Sequence, residues 1–231
     1  MPTWQLVDAV ICDPPYNTGG RTMTSRTSRT ARQKYLTEGG RNHGYDLGDF
    51  TGDNRDQRSY TAWLALLLAY GLRLTRPGGA ALVFTDWRQL LATTDALQVA
   101  GFTWRGVAVW HKPVARPQPG RLPQECEFIV WGRNGAMVPV ADPVYLPGHF
   151  TGSQPRGNER LHITQKPLDV MRQLARIVPE GGTILDPFAG AGTTGAAALL
   201  EGRSFIGIEQ SSIYAAMTRT RLAAALEDVS E

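Results

Sequence analysis

The fold is decided by the stretch Thr183-Ile184-Leu185-Asp186-Pro187-Phe188-Ala189-Gly190-Ala191-Gly192-Thr193-Thr194. It begins as a short apolar strand that ends in an acid, continues as a glycine-rich turn, and runs into the start of a helix. Small residues in such a turn allow a ligand to lie close to the backbone at the amino end of the helix. Phosphate and dinucleotide sites use similar turns, but this spacing matches neither the dinucleotide fingerprint nor the P-loop. The stretch therefore predicts a ligand site at a strand-to-helix turn.

Strands and helices alternate on both sides of this stretch. Such alternation predicts an α/β fold with a doubly wound, mainly parallel sheet. The predicted strands are Val7–Cys12, Ala80–Phe84, Trp104–Trp110, Glu127–Trp131, Thr183–Asp186 and Ser204–Glu209. The predicted helices are Ser59–Thr75, Trp87–Ala100, Pro167–Val178, Thr193–Glu201 and Ser211–Leu226.

Composition sets the outer limits of the interpretation. The chain has 231 residues, of which 42% are hydrophobic and 19% are charged, as is ordinary for a globular protein with a real core. One domain with a modest insertion fits this length better than two full domains. Two cysteines without metal-binding spacing argue against a disulfide framework and a metal site, and fit a reducing cytoplasm. We expect neither a secretory signal nor a membrane span.

Charge is distributed unevenly along the chain, whose net charge is +3. Six basic residues between positions 21 and 41 stand against one acid, and residues 44–56 reverse that balance. The basic stretch would suit an anionic partner such as nucleic acid, with two solvated loop faces as the alternative. A further basic, proline-rich segment spans residues 111–121 and is either a contact to nucleic acid or a linker.

A second strand end carries Asp13-Pro14-Pro15-Tyr16 after the apolar run Val10-Ile11-Cys12. Proline fixes φ and has no N–H, and the residue before each proline is held extended. The stiff turn presents a carboxylate, carbonyl acceptors and an aromatic face. The amino group of a nucleobase is a poor nucleophile because its lone pair is delocalised into the ring. The Asp13 carboxylate and the Pro14 carbonyl could bind its two N–H groups and free that lone pair, while Tyr16 stacks on the base.

Both motifs follow predicted strands, and ligands of open α/β sheets bind at the carboxyl ends of strands near the switch point. Asp13 and Asp186 can therefore share one crevice although they lie far apart in the chain. One strand later, Glu209 is placed to accept hydrogen bonds from ribose hydroxyls, with a plain surface acid as the alternative. An amine-polarising corner beside a nucleoside-binding corner predicts methylation of an amine by a nucleoside-bearing methyl donor.

These motifs resemble those of the amino-methylating DNA methyltransferases. Residues 13–16 resemble the catalytic motif of that family, residues 186–194 resemble its cofactor motif, and residues 162–167 (HITQKP) resemble a further cofactor motif. Their order along the chain is that of the β group of the family. The resemblance implies a seven-stranded Rossmann-like sheet with helices on both faces, S-adenosylmethionine as the donor and no metal. It also implies double-stranded DNA as the substrate, a flipped target base, and a homodimer as a common assembly.

The resemblance assigns roles to matching positions. Asp13, Pro14, Pro15 and Tyr16 would hold and activate the flipped base. Thr164 and Lys166 would lie near the methionine end of the donor, with Lys166 facing its carboxylate. The donor pocket would be lined by residues of the strand ends: Asp13, Asp186, Pro187, Phe188, Gly190, Gly192, Thr193 and Glu209.

The same resemblance divides the chain, residues 1–231, as one methyltransferase domain. A catalytic half would cover residues 1–112, a variable target-recognition insertion about 113–161, and a cofactor-binding half 162–231. We expect the basic loop of residues 21–41 to close over DNA phosphates. The residues expected to contact DNA are Arg21, Arg26, Arg29, Arg32, Lys34, Lys112 and Arg116.

The identity of the base is indicated by the first catalytic residue. Adenine-N6 members usually carry aspartate there, as this chain does at Asp13, whereas cytosine-N4 members usually carry serine. We therefore favour the N6 of adenine, with cytosine N4 as the alternative. Two further alternatives are a protein amide methyltransferase, whose similar turn usually begins with asparagine, and a non-catalytic DNA-binding relic. Asp13 argues against the first, and intact motifs at both strand ends argue against the second.

Overall fold

Seven strands form one sheet in the computed structural model, which describes residues 6–16, 54–113, 119–120, 122–138, 144–154 and 165–230. Across the sheet their order is β5-β3-β4-β2-β1-β6-β7. All neighbouring pairs are parallel except the two that include β4. The strands are β1 (Val7–Cys12), β2 (Thr75–Thr85), β3 (Thr103–His111), β4 (Cys126–Arg133), β5 (His149–Thr151), β6 (Thr183–Asp186) and β7 (Ser204–Gly207). The predicted α/β fold with a mainly parallel sheet is confirmed.

Helices cover both faces of this sheet, and each face has its own apolar core. The helices α1 (Gln57–Leu74) and α2 (Leu90–Val99) pack on one face. On the other face lie α3 (Leu168–Ala175) and α4 (Thr193–Leu200), with α5 (Ser212–Ser230) packed against α4. Within the described residues, we find no helix long and apolar enough to traverse a bilayer.

The longest helix of the first face shows how local sequence sets these elements. Asp56 caps α1, because its carboxylate accepts a hydrogen bond from the backbone N–H of Ser59 at 2.9 Å. Tyr60, Leu64 and Leu68 recur every four residues and are fully buried in the core of that face. An amphipathic stripe with a capped start is therefore sufficient to explain where α1 forms and which side it buries.

The helix and strand ends differ from the predictions by a few residues, and the largest differences are the start of β2 and the presence of β5. The segment 76–79 was predicted to separate α1 from a strand at Ala80, but β2 begins at Thr75. Gly78 donates its N–H to the carbonyl of Asn134 at 2.7 Å, and Asn134 donates to the carbonyl of Gly79 at 2.8 Å, so pairing with the chain beyond β4 keeps the segment extended. The short strand β5 was not predicted, because three residues carry no readable periodicity.

The strand order decides where a ligand site can form. Because β1, β2, β3, β5, β6 and β7 all run the same way, their carboxyl ends meet at one edge of the sheet, which we call the carboxyl edge. The antiparallel β4 begins at that same edge. β1 lies between β2 and β6, with Val10 opposite Leu185. The residues that follow β1 and β6 therefore leave the sheet side by side.

Candidate active site

The two motifs meet at the carboxyl edge, as the strand topology predicts. Cys12 is the last residue of β1, and burial raises the pKa of its thiol well above the usual value, with the carboxylates of Asp186 and Asp13 raising it further. Burial is the main cause of the raised pKa of Asp186, and the Asp13 carboxylate adds to it. Two acids from distant parts of the chain therefore sit close enough to sense each other's charge.

The catalytic corner, residues 13–16, is joined to a buried lysine. Lys166 Nζ lies 2.5 Å from Asp13 Oδ2 and 3.5 Å from the Tyr16 hydroxyl. Only 5% of the Lys166 side chain is exposed. Its ammonium group is surrounded by the rings of Phe84, Trp110 and Tyr16, whose centroids lie 5.1, 5.7 and 5.7 Å away. An ammonium group in such apolar surroundings requires partners of opposite charge.

A second carboxylate, Glu127, completes the arrangement. It is the second residue of β4, at the carboxyl edge, and accepts a hydrogen bond from the Tyr16 hydroxyl at 3.0 Å. The same oxygen lies 3.4 Å from Lys166 Nζ, and the other oxygen accepts from Lys112 Nζ at 2.8 Å. We call Asp13, Tyr16, Lys112, Glu127 and Lys166 the ionic cluster. It balances two carboxylates against two ammonium groups and includes both polar side chains of the catalytic motif.

The charges of the cluster reinforce one another. Burial alone would raise the pKa of Glu127, but Lys166 and Lys112 outweigh it, so that pKa lies below its usual value. Burial would likewise lower the pKa of Lys166, but Asp13 and Glu127 outweigh it, and the pKa lies above its usual value. Both groups are therefore held in their charged forms at neutral pH.

The donor corner, where β6 turns into α4, uses its carboxylate differently. Asp186 is buried and accepts hydrogen bonds from the backbone N–H of Phe188 at 2.9 Å and from the Thr194 hydroxyl at 2.6 Å. Burial raises its pKa to about 7, although the bonds from Thr194 and Phe188 act in the opposite direction. These contacts fix the shape of the glycine-rich turn, because they join its first residues to the start of α4.

Glu209 ties the end of β7 to this turn. Its carboxylate accepts from the backbone N–H of Gly190 at 2.9 Å and from that of Ser211 at 2.8 Å. Each carboxylate oxygen has two lone pairs, so Glu209 keeps acceptor capacity for a further donor such as a hydroxyl. Gly190 and Gly192 have φ values of 53° and 78°, a region that side-chain-bearing residues rarely adopt. The turn therefore depends on glycine at both positions.

Aromatic rings form the wall of the donor corner. The rings of Phe188 and Trp63 lie 5.5 Å apart, and the Arg55 guanidinium lies 4.1 Å above the Trp63 ring. The Thr193 hydroxyl accepts a hydrogen bond from Arg221 at 2.9 Å, so it is directed toward α5. Pro187 is half-buried. The corner thus offers an aromatic surface, small turn residues and a carboxylate at neighbouring strand ends.

Several predicted site residues lie outside the described residues: Thr164, Arg21, Arg26, Arg29, Arg32, Lys34 and Arg116. Lys112, predicted to contact DNA, is described and directs its ammonium group to Glu127. The carboxylates that Lys166 contacts are those of the protein itself, and its role toward the donor stays a prediction. Among the described residues, no group of His, Cys, Asp and Glu side chains is arranged to hold a metal ion.

Sequence reasoning missed Glu127 and Trp63. Glu127 was included in a predicted strand without a role. A signal was present, because Glu127 and Ile129 point to the same face of β4 and Ile129 is a core residue. An acid at a core-facing position of a strand requires a partner. Trp63 lies between the buried positions of α1 and gave no comparable signal.

Comparison with known proteins reveals several relatives along nearly the whole chain. A family model described as DNA methylase, of the N6 and N4 methyltransferase type, matches residues 7–145 and 142–220. The chain is 26% identical over 244 residues to the Type II methyltransferase M2.DpnII of Streptococcus pneumoniae, covering 95% of this chain and 84% of that protein.

Solved structures agree. The complex of M1.HpyAVI with SAM is 26% identical to this chain, with a TM-score of 0.64, and the alignment covers 94% of this chain and 89% of the other. The PvuII DNA methyltransferase, described as cytosine-N4-specific, shares the fold at 16% identity, with a TM-score of 0.65 and coverages of 97% and 86%.

Proposed function

Because the chain belongs to the DNA methylase family of N6 and N4 methyltransferases, we propose that it transfers a methyl group from S-adenosylmethionine to the N6 amine of adenine in DNA. Methylation of an amino group of DNA follows from the family; the choice of adenine is the finer part of the proposal. The observation that carries the choice of adenine is the residue type at position 13: adenine-N6 members usually have aspartate there, and Asp13 stands on a rigid turn, paired with Lys166.

The donor corner has the chemistry that S-adenosylmethionine requires. When bound, this cofactor supplies an electrophilic methyl group on a positively charged sulfur. Glu209 would accept hydrogen bonds from its ribose hydroxyls, Phe188 would contact its adenine ring, and Gly190 would let it approach the backbone. Asp186 supports these groups through the turn that it shapes. We assign Pro187, Gly192 and Thr193 to the same turn, and Thr164 and Lys166 to the methionine end.

The catalytic corner would receive the target base after it has left the duplex, at a cost of roughly a few kcal/mol. The Asp13 carboxylate and the Pro14 carbonyl would accept from the two N–H groups of the amine, and the Tyr16 ring would stack on the base. Pro15 keeps the turn stiff. As the new N–C bond forms, the bond between the methyl carbon and the donor sulfur breaks and leaves its electron pair on the sulfur. The amine must then lose one proton, and Asp13 would already accept a hydrogen bond from that N–H. The carboxylate is therefore the group of this chain to which the proton would pass.

The substrate would be double-stranded DNA. In the duplex the target base is paired and stacked, so it would have to be flipped out to reach the catalytic corner. We assign the phosphate contacts to basic residues named from the sequence: Arg21, Arg26, Arg29, Arg32, Lys34 and Arg116. Lys112, named with them, binds Glu127 through its ammonium group and is assigned to the ionic cluster. A homodimer would be compatible with this arrangement. The division into a catalytic half, a recognition insertion over about residues 113–161 and a cofactor half remains part of the proposal, with β4 and β5 of the insertion contributing to the central sheet.

Cytosine N4 is the second candidate acceptor. Its amine also has two N–H groups conjugated to a ring, and Asp13 and Pro14 would bind them in the same way. Nothing in the contacts of these two residues depends on whether the ring is a purine or a pyrimidine.

Nucleoside analysis separates these possibilities. Duplex DNA would be incubated with the protein and S-adenosylmethionine carrying a labelled methyl group, digested to nucleosides, and examined by mass spectrometry. We expect labelled N6-methyladenine from the wild type, none from Asp13→Ala, and an unchanged yield from Asp95→Ala, whose acid is exposed on α2. Labelled N4-methylcytosine would overturn the choice of base. Label that enters protein but not DNA would overturn the proposed activity.

A further inference from the structure

We propose that Glu127 is a positioning residue: it fixes the Asp13 carboxylate and the Tyr16 ring relative to each other, so that both meet the target base together. This inference rests on the proposed function and adds a residue that lies far from the catalytic motif in the sequence. Glu127 itself would not touch the base. It would act through Tyr16, by a direct hydrogen bond, and on Asp13 through Lys166.

The contacts form a closed ring around the catalytic turn. Tyr16 donates its hydroxyl to Glu127 Oε2 at 3.0 Å, and this oxygen lies 3.4 Å from Lys166 Nζ. Lys166 Nζ in turn lies 2.5 Å from Asp13 Oδ2, and Asp13 and Tyr16 are joined through the two prolines. Proline stiffens the backbone of the turn but leaves side-chain torsions free. The ring restrains those torsions at both ends of the turn.

Stability does not explain why a charged ring is present in the core. Replacing a buried ion pair by apolar residues of similar size is often neutral or stabilising, because desolvation offsets the attraction between the charges. The walls of this cluster are already apolar, since Phe84 and Trp110 are fully buried. Buried charge at the carboxyl edge, attached to both polar side chains of the catalytic motif, is instead what a preorganised site requires.

Lys112 shows why Glu127 must be charged rather than merely polar. It donates to Glu127 Oε1 at 2.8 Å from the more exposed side of the cluster. A neutral amide at position 127 would keep one acceptor oxygen but would leave two lysines with a single carboxylate, Asp13. The Asp13 carboxylate would then bind the lysines more tightly, and its hydrogen bond from the amine of the base would be weakened. Glutamine should therefore be a poor substitute despite its identical shape.

The inference is tested with Glu127→Gln on DNA that the wild type methylates, with Glu125→Gln as the matched control. Glu125 lies two residues away and is 42% exposed beside His111. We expect Glu127→Gln to lower kcat by roughly 10- to 100-fold, because small misplacements of reacting groups have effects of this size. Its Kd for S-adenosylmethionine should change far less than kcat, because Glu127 contacts the catalytic turn and Lys166 but none of the residues of the glycine-rich turn, and Glu125→Gln should change neither quantity.

Binding of the flipped base can be measured separately from methyl transfer, by fluorescence. DNA with 2-aminopurine at the target position becomes fluorescent when that base leaves the stack. We expect the wild type and Glu125→Gln to give the full signal without donor, and Glu127→Gln to give a reduced one. A full signal together with an unchanged kcat in Glu127→Gln would overturn the inference while leaving the proposed function intact. Failure of the wild type to methylate DNA would overturn both.

Tyr16→Phe keeps the test decisive if Glu127→Gln folds poorly. It removes only the hydroxyl that donates to Glu127 and retains the ring that would stack on the base. We expect Tyr16→Phe to lower kcat, and the double variant Tyr16→Phe/Glu127→Gln to be hardly slower than Glu127→Gln alone, because both changes open the same ring of contacts. Fully multiplicative losses, or no loss in Tyr16→Phe, would contradict the inference.

Discussion

The catalytic corner and the donor corner both place an aspartate at the carboxyl end of a parallel strand, but they treat its charge in opposite ways. Asp13 lies 2.5 Å from the Lys166 ammonium, and the cluster around it balances two carboxylates with two lysines. Asp186 is held by a hydroxyl and a backbone N–H, and burial raises its pKa to about 7. The same residue type is thus an ionised acceptor in one corner and a brace for the backbone in the other.

The difference follows from what each corner must do. A carboxylate that is to accept hydrogen bonds from an amine must be ionised, and a nearby ammonium group stabilises that form. A carboxylate that shapes a turn needs only donors in fixed positions, which the Phe188 N–H and the Thr194 hydroxyl provide. Substitutions in the catalytic corner should therefore change methyl transfer, and substitutions in the donor corner should change stability and donor affinity.

The largest expected effect is that of Asp13→Asn on methyl transfer. Asparagine keeps the size of the side chain but loses the charge that Lys166 stabilises and presents an N–H group where an acceptor is required. We expect the single-turnover rate to fall by roughly 100- to 1000-fold, as is usual when one preorganised polar group is lost. The Kd for S-adenosylmethionine should change little. Retention of more than half the wild-type rate would remove Asp13 from the catalytic role.

The next effect concerns Asp186 in the donor corner, whose titration should make the free energy of unfolding depend on pH. Asp186 has an ordinary pKa of 3.8 but a pKa of about 7 in the folded protein. Between these values the unfolded chain releases a proton that the folded protein retains, so this group makes the free energy of unfolding fall as pH rises from about 4 to about 7. The fall should amount to roughly 4 kcal/mol, at about 1.4 kcal/mol per pKa unit.

Urea unfolding at pH 4.5 and pH 7.5 measures this effect in the wild type and in Asp186→Asn. Asparagine cannot titrate, and contributions from other groups cancel in the comparison. The variant should therefore lose less stability than the wild type between the two pH values. Asp169→Asn, which alters an exposed acid on α3, should behave as the wild type does. Parallel pH dependence in wild type and Asp186→Asn would show that Asp186 is ionised throughout.

A smaller effect is expected for Glu209→Gln, on donor affinity. Gly190 and Ser211 donate to different carboxylate oxygens, so the amide keeps an oxygen for only one of them and turns an N–H group toward the other. We expect the Kd for S-adenosylmethionine to rise roughly 10-fold, the size of one charged hydrogen bond. The rate at saturating donor should stay near that of the wild type. A loss of rate without a loss of affinity would place Glu209 in the catalytic corner instead.

The smallest effect should come from an ion pair outside both corners. Arg172 on α3 lies 2.7 Å from Glu201 at the end of α4, and 44% of its side chain is exposed. Exposed pairs of this kind contribute about 0–1 kcal/mol. Arg172→Met should accordingly alter the free energy of unfolding by less than about 1 kcal/mol, and neither donor affinity nor methyl transfer should change. A larger effect would indicate that charge pairs throughout the chain behave like the ionic cluster.

The two corners also differ in how far they could be predicted from the sequence. Both strand ends were predictable, because an apolar run followed by Asp-Pro or by a glycine-rich turn fixes the local structure. Parallel strands then bring Asp13 and Asp186 to one edge. The partners of Asp13 were not predictable in the same way. Glu127 reaches it through the pairing of β4 with β2 and β3, and Lys166 reaches it from the residues just before α3.

Local sequence patterns also did not predict the length of β2, its irregular register, or the strand β5. In β2 the step of five positions from Thr75 to Ala80 stands opposite the step of two positions from Val7 to Ala9 in β1. This irregular register places Pro77 and Gly78 inside a strand. Pro and Gly normally indicate a break, so the predicted boundary was wrong where tertiary pairing outweighed local preference. The strand β5 exists only as a three-residue partner of β3.

One crevice should hold the amine and the donor at the same time, and a bisubstrate analogue probes this geometry in a single molecule. Such a molecule joins the N6 nitrogen of an adenosine, through a short linker, to a second adenosine that carries the amino-acid tail of the donor. Its Kd would be measured by calorimetry with the wild type, Asp13→Asn and Glu209→Gln. Asp13→Asn and Glu209→Gln should each weaken binding by roughly 10-fold, because the analogue contacts both corners. Binding that depends on Glu209 but is indifferent to Asp13 would contradict the shared crevice.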